Sequence, residues 1–457
     1  MKSNQIDMTT GAIFPKLTRF AIPLILSSVL QLLFNAADIV VVGRFAGDNS
    51  LGAVGSTSSL INLLVNTFMG LSIGCNVVCA SFLGAGKKEE VNKTVHTTVL
   101  LSFIAGILLT AMGIVFSRQI LVLMGSPEEI LVLSTLYLKI YFGGITATVV
   151  YNFGSALLRA KGDTKRPLYI LSAAGVINVV LNLIFVVCFS MDVAGVAFAT
   201  VISQSFSAVC VLFLLTKESD EFKLSFGKLK IYKDIFLKIV KIGVPAGMQG
   251  MVFSLSNVVI QSTVNSFGPV AVAGNSACQS IEGFIYISMN GLAQSCLTFV
   301  SQNMGARKID RIKKVAAMGL GSVMFTGIFL GFSAIFLSSR FMGDYSLFSI
   351  YTKNPLVIEQ ARLRLFVIGS TYCTCGIMDV MANCLRGMGF SFMPMVVSLV
   401  GACGLRILYL FTVFKIPEVH TYQNIFISYP VSWVVTFSVL LFSFIKVVKN
   451  EERSITG

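Results

Sequence analysis

The chain has 457 residues, of which 55% are hydrophobic and 12% charged, with a formal net charge of +14. A mean hydropathy of +0.82, with about half the charge of an ordinary soluble domain, excludes a water-soluble globule and predicts a multi-pass membrane protein. The basic excess does not require nucleic acid, because topology signals and anionic inner-leaflet lipids already favour basic loops.

Twelve apolar stretches are predicted to span the bilayer, at 14–43, 51–82, 94–116, 130–158, 168–190, 194–215, 235–266, 270–303, 314–338, 357–386, 392–414 and 424–447. They are too long and too uniformly apolar for barrel strands, so the expected fold class is an all-α integral membrane protein.

The first span ends in FNAADIVVVGR, Phe34 to Arg44. Asp38 is costly there and needs a partner or a task. Ser27, Gln31, Asn35 and Asp38 are spaced to share one helix face, a face that lipid should not see. Asn62 and Asn66 repeat the pattern on the second span.

GAGKK, Gly84 to Lys88, lacks both the earlier glycine and the Ser or Thr of a phosphate-binding loop. ATP is therefore not expected, and no cofactor beyond a coupling ion, H+ or Na+, is needed. Asn178 and Asn182 mark the fifth span, and Asn257, Gln261 and Asn265 the seventh. The eighth carries the longest stripe: Asn275, Gln279, Glu282, Tyr286 and Asn290.

An amide in a span serves either as glue between helices or as the lining of a cavity; five such stripes favour a lined cavity. For Asp38 and Glu282 the alternative to function is a structural ion pair, with Lys139 and Arg406 as the main candidate bases. Asp379 on the tenth span admits either reading. Plentiful Phe and Met suit a deformable pocket. The ten cysteines read as buried packing residues rather than metal ligands, and His96 and His420 lie too far apart to support an enzyme centre.

The chain is written twice. FPKLTRFAIP, ending at Pro23, recurs as FLKIVKIGVP, ending at Pro245; FLGAGKKEEVNK from Phe82 recurs as NMGARKIDRIKK from Asn303; LRAKGDTKRP from Leu158 recurs as LRGMGFSFMP from Leu385. The expected organisation is a six-helix lobe at 1–216, a linker at 217–234 and a second six-helix lobe at 235–457. With an even number of spans per copy, the copies are parallel repeats, and transporters with paired repeats bind substrate between or within them and alternate access.

Placing the N-terminus inside puts 26 of the 35 basic residues in inner loops. Both termini are therefore expected in the cytoplasm of a cell-membrane protein. The carboxylates are not duplicated between copies, so a division of labour is expected: Asp38 for the coupling ion, and Glu282 for attraction of a cationic substrate.

With NAAD and VVVGR in the first span, GAGKK after the second, LRAKGDTKRP after the fourth and LRGMG after the tenth, the sequence resembles the multidrug and toxic compound extrusion (MATE) transporters over nearly its full length. The likeness is to the prokaryotic, DinF-like type. It implies two six-helix bundles exporting organic, often cationic, small molecules by proton or sodium antiport, as a monomer in the lipid bilayer. Asp38 is similar to the acidic residue that binds the coupling ion, and Asn178 to an amide of the same site. Asn182 stands where many relatives carry an acid, which argues against sodium, since a hard cation prefers more charged oxygen.

A flippase for a lipid-linked saccharide is the alternative within the wider superfamily. It predicts a cavity dominated by cations, whereas the conspicuous intramembrane charges are mainly acidic. A receptor or membrane enzyme is a third reading, without a catalytic constellation or a sizeable soluble domain to support it.

Overall fold

The computed structural model describes residues 5–218, 220–339 and 346–456, and it contains no β-strand among them. The helices are α1 (Ile13–Phe45), α2 (Asp48–Gly84), α3 (Lys88–Leu123), α4 (Glu128–Gly143), α5 (Ile145–Lys161), α6 (Lys165–Asn182) and α7 (Asp192–Lys217). They continue with α8 (Lys233–Asn265), α9 (Pro269–Gly305), α10 (Ile309–Leu337), α11 (Pro355–Gly387), α12 (Phe392–Ser398), α13 (Leu405–Phe411) and α14 (Tyr422–Thr456).

These make twelve spans. Among the described residues nine helical stretches are long and apolar enough to cross, and α4 with α5 forms a tenth, bent by 45°. The other two are α2 and α9, each of 37 residues and so about 55 Å long. The Asn, Gln, Ser and Glu content of α9 lowers its hydropathy.

Two spans contain a π turn: Leu183–Cys188 prolongs α6, and Leu399–Gly404 joins α12 to α13. A π turn widens the helix by one residue and re-aims the side chains beside it. Outward positions carry side chains such as Ile107, Val115, Phe325 and Phe329, each more than half exposed, as a hydrocarbon surround requires.

By packing, the chain forms two compact units. Unit 1 takes the described residues up to Asp7 with Ile22–Gly247, and unit 2 takes Met8–Ala21 with Met248–Gly457. Helix α1 therefore changes unit just before Pro23, and α8 just after Pro245.

Within unit 1, Gly70 and Gly74 of α2 lie against Gly243 and Gly247 of α8. A Cβ on Gly70 would stand 2.2 Å from the Gly247 nitrogen, and one on Gly74 2.4 Å from the Ile239 carbonyl oxygen. This is a small-xxx-small crossing on both helices, which lets backbones touch.

The segment before α8 is tied down as well. Asn92 donates to the carbonyls of Glu221 (3.1 Å) and Lys223 (3.2 Å). His96 bonds through Nδ1 to the Asn92 carbonyl at 2.8 Å, and its Nε2 accepts from the Ser225 N–H at 3.2 Å. Those roles make it a neutral imidazole.

LRAKGDTKRP closes the same end. Gly162 takes φ +97°, a conformation suited to glycine, and Asp163 accepts from the Lys165 and Arg166 N–H groups at the start of α6. Lys161 and Arg166 both pair with Glu218. Burial alone would lift the Glu218 carboxyl, but these two bases hold it below its ordinary value.

In unit 2 a corresponding arm is held by the loop between α9 and α10. Arg311 donates to the Met8, Gly11 and Thr10 carbonyls at 2.9, 2.8 and 2.6 Å, and Asn303 adds a bond to Met8 at 3.1 Å.

Candidate functional site

Unit 1 gathers its polar spans around Asp38. The carboxylate accepts from Nδ2 of Asn182, which also faces the Asn178 Oδ1 at 3.2 Å; Asn178 in turn donates to the Thr200 hydroxyl at 3.3 Å. Thr200 also stands beside Asp38, so the four side chains form an open ring around the carboxylate.

Helix geometry explains the ring. Asn178 and Asn182 are four residues apart on α6 and share a face, and the π turn begins immediately after Asn182. Asn178 and Asn182 are buried, while Asp38 is half-buried. The Oδ1 of Asn182 has no hydrogen-bond partner. Tyr137 and Tyr141 of α4 stand close enough to feel the Asp38 charge.

Asn35 and Gln31 lie on α1 but are exposed and do not enter the ring. The side chains of Asn62 and Asn66 lie outside the described residues.

Unit 2 holds a buried ion pair. Arg364 of α11 meets Glu282 of α9 in a fork, Nε to Oε1 at 2.8 Å and Nη2 to Oε2 at 2.6 Å. It also donates to Asn275 and lies 4.8 Å from the Phe426 ring centre. Cys278 donates to Glu282 at 3.1 Å.

From Asn275 an amide relay runs outward, to Gln261 at 2.8 Å and from Gln261 to Asn265 at 2.9 Å. Glu282 is thus already balanced by a cation of its own unit. That base is Arg364, not Lys139, which is exposed, nor Arg406, which donates to Ser432 and stacks on Tyr429 and Trp433.

The remaining predicted positions separate. Asn257 and Gln279 are exposed, as is Tyr286. The Tyr286 hydroxyl reaches Asp379, which also faces Arg386. Arg386 donates to Gln249 and, at 3.2 Å, to Asn383, while its Nε has no partner.

Arg364, Arg386 and Arg406 are all buried, so unit 2 carries more intramembrane cations than its conspicuous acids led one to expect. Thr200, Arg364 and Gln249 were missed. An arginine inside an apolar span is itself a signal, and Arg364 could have been found on that ground. Thr200 leaves no such trace, because threonine is common in spans as packing.

Membrane-length helices in two repeated sets, each enclosing buried polar groups away from lipid, define a multi-pass membrane transporter. The sequence matches the MatE family twice, over residues 23–184 and 245–412, so each copy of the internal repeat answers to it. The chain belongs to the MatE family, and it is a transporter rather than an enzyme.

Among its relatives is the "Probable multidrug resistance protein YoeA" of Bacillus subtilis (strain 168), 26% identical over 97% of this chain and 95% of that one. Another is an "FAD transporter" of Shewanella oneidensis, 23% identical over 81% of each chain. The fold matches an outward-facing multidrug resistance MATE transporter structure with a TM-score of 0.90, at 17% identity and 98% coverage of both chains.

Proposed function

We propose that this transporter exports amphipathic organic cations by proton antiport, with Asp38 as the group that takes and releases the proton. The observation that carries the reading is the ring of Asp38, Asn182, Asn178 and Thr200, in which one carboxylate is held by neutral partners and, among the described residues, is in no ion pair.

When ionised, Asp38 only accepts hydrogen bonds. When protonated, it gains a donor, and the free Oδ1 of Asn182 is an acceptor that a rotation of that amide would bring round. Protonation therefore exchanges one bonding pattern for another and changes how α1 and α6 are held together. Transport follows if the two access states differ in proton affinity, since a proton bound equally by both shifts nothing. Sodium is the weaker alternative, because the ring offers a hard cation only one carboxylate.

The relatives named for multidrug resistance support a broad range of organic substrates. The second reading, a flippase or carrier for a phosphate-bearing substrate, draws on the relative named as an FAD transporter and on the three buried arginines of unit 2. Those arginines are engaged within the unit, apart from the Nε of Arg386, and this favours the first reading. The same proposal places the protein in the cell membrane as a monomer with both termini in the cytoplasm.

The test is export of a fluorescent organic cation from proteoliposomes of the full chain, with pH and sodium gradients imposed separately. A response to the pH gradient alone is expected. Intact protein that responds to neither gradient overturns the antiport reading.

A further inference from the structure

The α9–α10 loop of unit 2 is the second copy of the α2–α3 loop of unit 1, 221 residues on: GAGKKEE from Gly84 becomes GARKIDR from Gly305. Two exchanges change its physics. Gly86 becomes Arg307, and Glu90 becomes Arg311.

Gly86 has φ +69°, and Arg307 keeps the same left-handed conformation at φ +56°. Glycine adopts it freely, whereas a residue with a Cβ is strained there by about 1–2 kcal/mol; such strain is retained where a side chain has a task. Residues 84–93 hold three lysines against two glutamates, and residues 305–314 hold five basic residues against one aspartate. The first copy shows that a topology signal needs neither the extra charge nor the strain.

This loop borders an open cavity of about 510 Å³ lined by Arg307, Lys308, Arg311 and Lys314, together with Ile309, Asp310 and Glu452. Its charges are not equally available. Arg311 is engaged with three carbonyls of the arm at Met8–Gly11, and Lys308 with that of Thr9 at 2.9 Å. Glu452 is paired with Lys313, which also lies 3.6 Å from Asp310.

Arg307 and Lys314 are left with no hydrogen bond or ion pair from their side chains among the described residues, and both are exposed to the cavity. The apolar part of α10 starts at Val315 and that of α14 ends at Val448, so the cavity sits where spans meet the headgroup layer.

We propose that this cavity binds the phosphate of an anionic phospholipid headgroup, with Arg307 and Lys314 as its ligands. A guanidinium fork beside an ammonium suits a phosphodiester, and a lipid delivers that group at the depth where the two side chains lie. Neutralising them beside Arg311 and Lys308 also relieves like-charge repulsion around the arm. The proposal does not depend on which molecule is exported.

The test uses the full chain in neutral detergent, stripped of lipid and titrated with short-chain phosphatidylglycerol, short-chain phosphatidylcholine or inorganic phosphate while the thermal midpoint is followed. Phosphatidylglycerol should raise the midpoint saturably and phosphatidylcholine should not. Arg307→Gly and Lys314→Gln should each weaken the apparent affinity about fivefold. Lys88→Gln, which removes one charge from the first copy of the loop, should leave it unchanged.

Arg307→Gly suits the backbone and should fold at least as stably as the parent, and Lys314→Gln carries the test independently. Equal affinity in parent and both variants, or an equal response to phosphatidylcholine, overturns the proposal. An equal response to inorganic phosphate at the same concentration overturns the lipid as its source and assigns the cavity to a soluble phosphate.

Discussion

Asp38 and Glu282 are both carboxylates in apolar spans, yet their partners give them opposite characters. Asp38 has neutral partners, so Asp38→Asn should fold with an unchanged thermal midpoint and lose export driven by a pH gradient; export at the parental rate would reduce Asp38 to a structural polar residue. Glu282 has a guanidinium. Arg364→Met should destabilise unit 2 by about 3–5 kcal/mol, because it leaves a buried charge alone, and Glu282→Met with Arg364→Met should recover much of that, since replacing a buried pair by apolar groups is often neutral. Denaturant unfolding of the two variants and of the parent checks both statements. Glu282→Gln tests whether Glu282 attracts cations: with its charge already met by Arg364, it should slow export of cations and of neutral compounds alike, and a loss confined to cations would restore the attraction. Much of the ring was legible in the sequence, because Asp38, Asn178 and Asn182 are polar residues at helical spacing. Thr200 and Arg364 were not placed, since a pairing between distant spans depends on which helices are neighbours, and spacing along one helix carries nothing about that.

At the scale of elements, hydropathy located all twelve spans but not their interruptions. The bend between α4 and α5 and the two π turns leave composition unchanged, because they alter hydrogen-bond register rather than polarity. The glycines that fix helix contacts were equally silent, since nothing in Gly70 itself says that Gly247 will lie on it. Gly70→Ala should therefore be severe, at about 3 kcal/mol or more, because the added methyl meets backbone atoms that cannot move aside. Gly283→Ala on α9 should be neutral or mildly stabilising, by about 0.4–1 kcal/mol, because nothing lies within 4 Å of its Cβ position and the unfolded chain loses freedom. Thermal unfolding of the two variants in parallel reads the contrast. His96→Ala should lower stability by about 1–3 kcal/mol by stranding the Ser225 N–H, with protease sensitivity of residues 220–230 rising in step.

At the scale of the molecule, the repeat was the plainest message in the sequence, and the family match recovers it at the same spacing of 222 residues, from 23 to 245. What the repeat conceals is that its copies and the compact units do not share boundaries, because α1 and α8 each serve both units. If both termini face the cytoplasm, protease should cut near Lys223–Lys233 only from that side, and cleavage from outside intact cells would reverse the assignment. The shared helices also bear on the order in which a ribosome makes the chain. The Gly70 and Gly74 contact stays open until Gly243 and Gly247 have been synthesised, so unit 1 cannot close when its own six spans are complete. The arm at Met8–Gly11, among the first residues made, waits for Asn303 and Arg311, two thirds of the chain later. Unit 1 of a nascent chain arrested at residue 235 should accordingly be digested readily by protease, and it should become resistant only once arrest is moved well past Gly247. Translation thus imposes a waiting period on each unit, and for its duration the membrane holds helices whose partners do not yet exist.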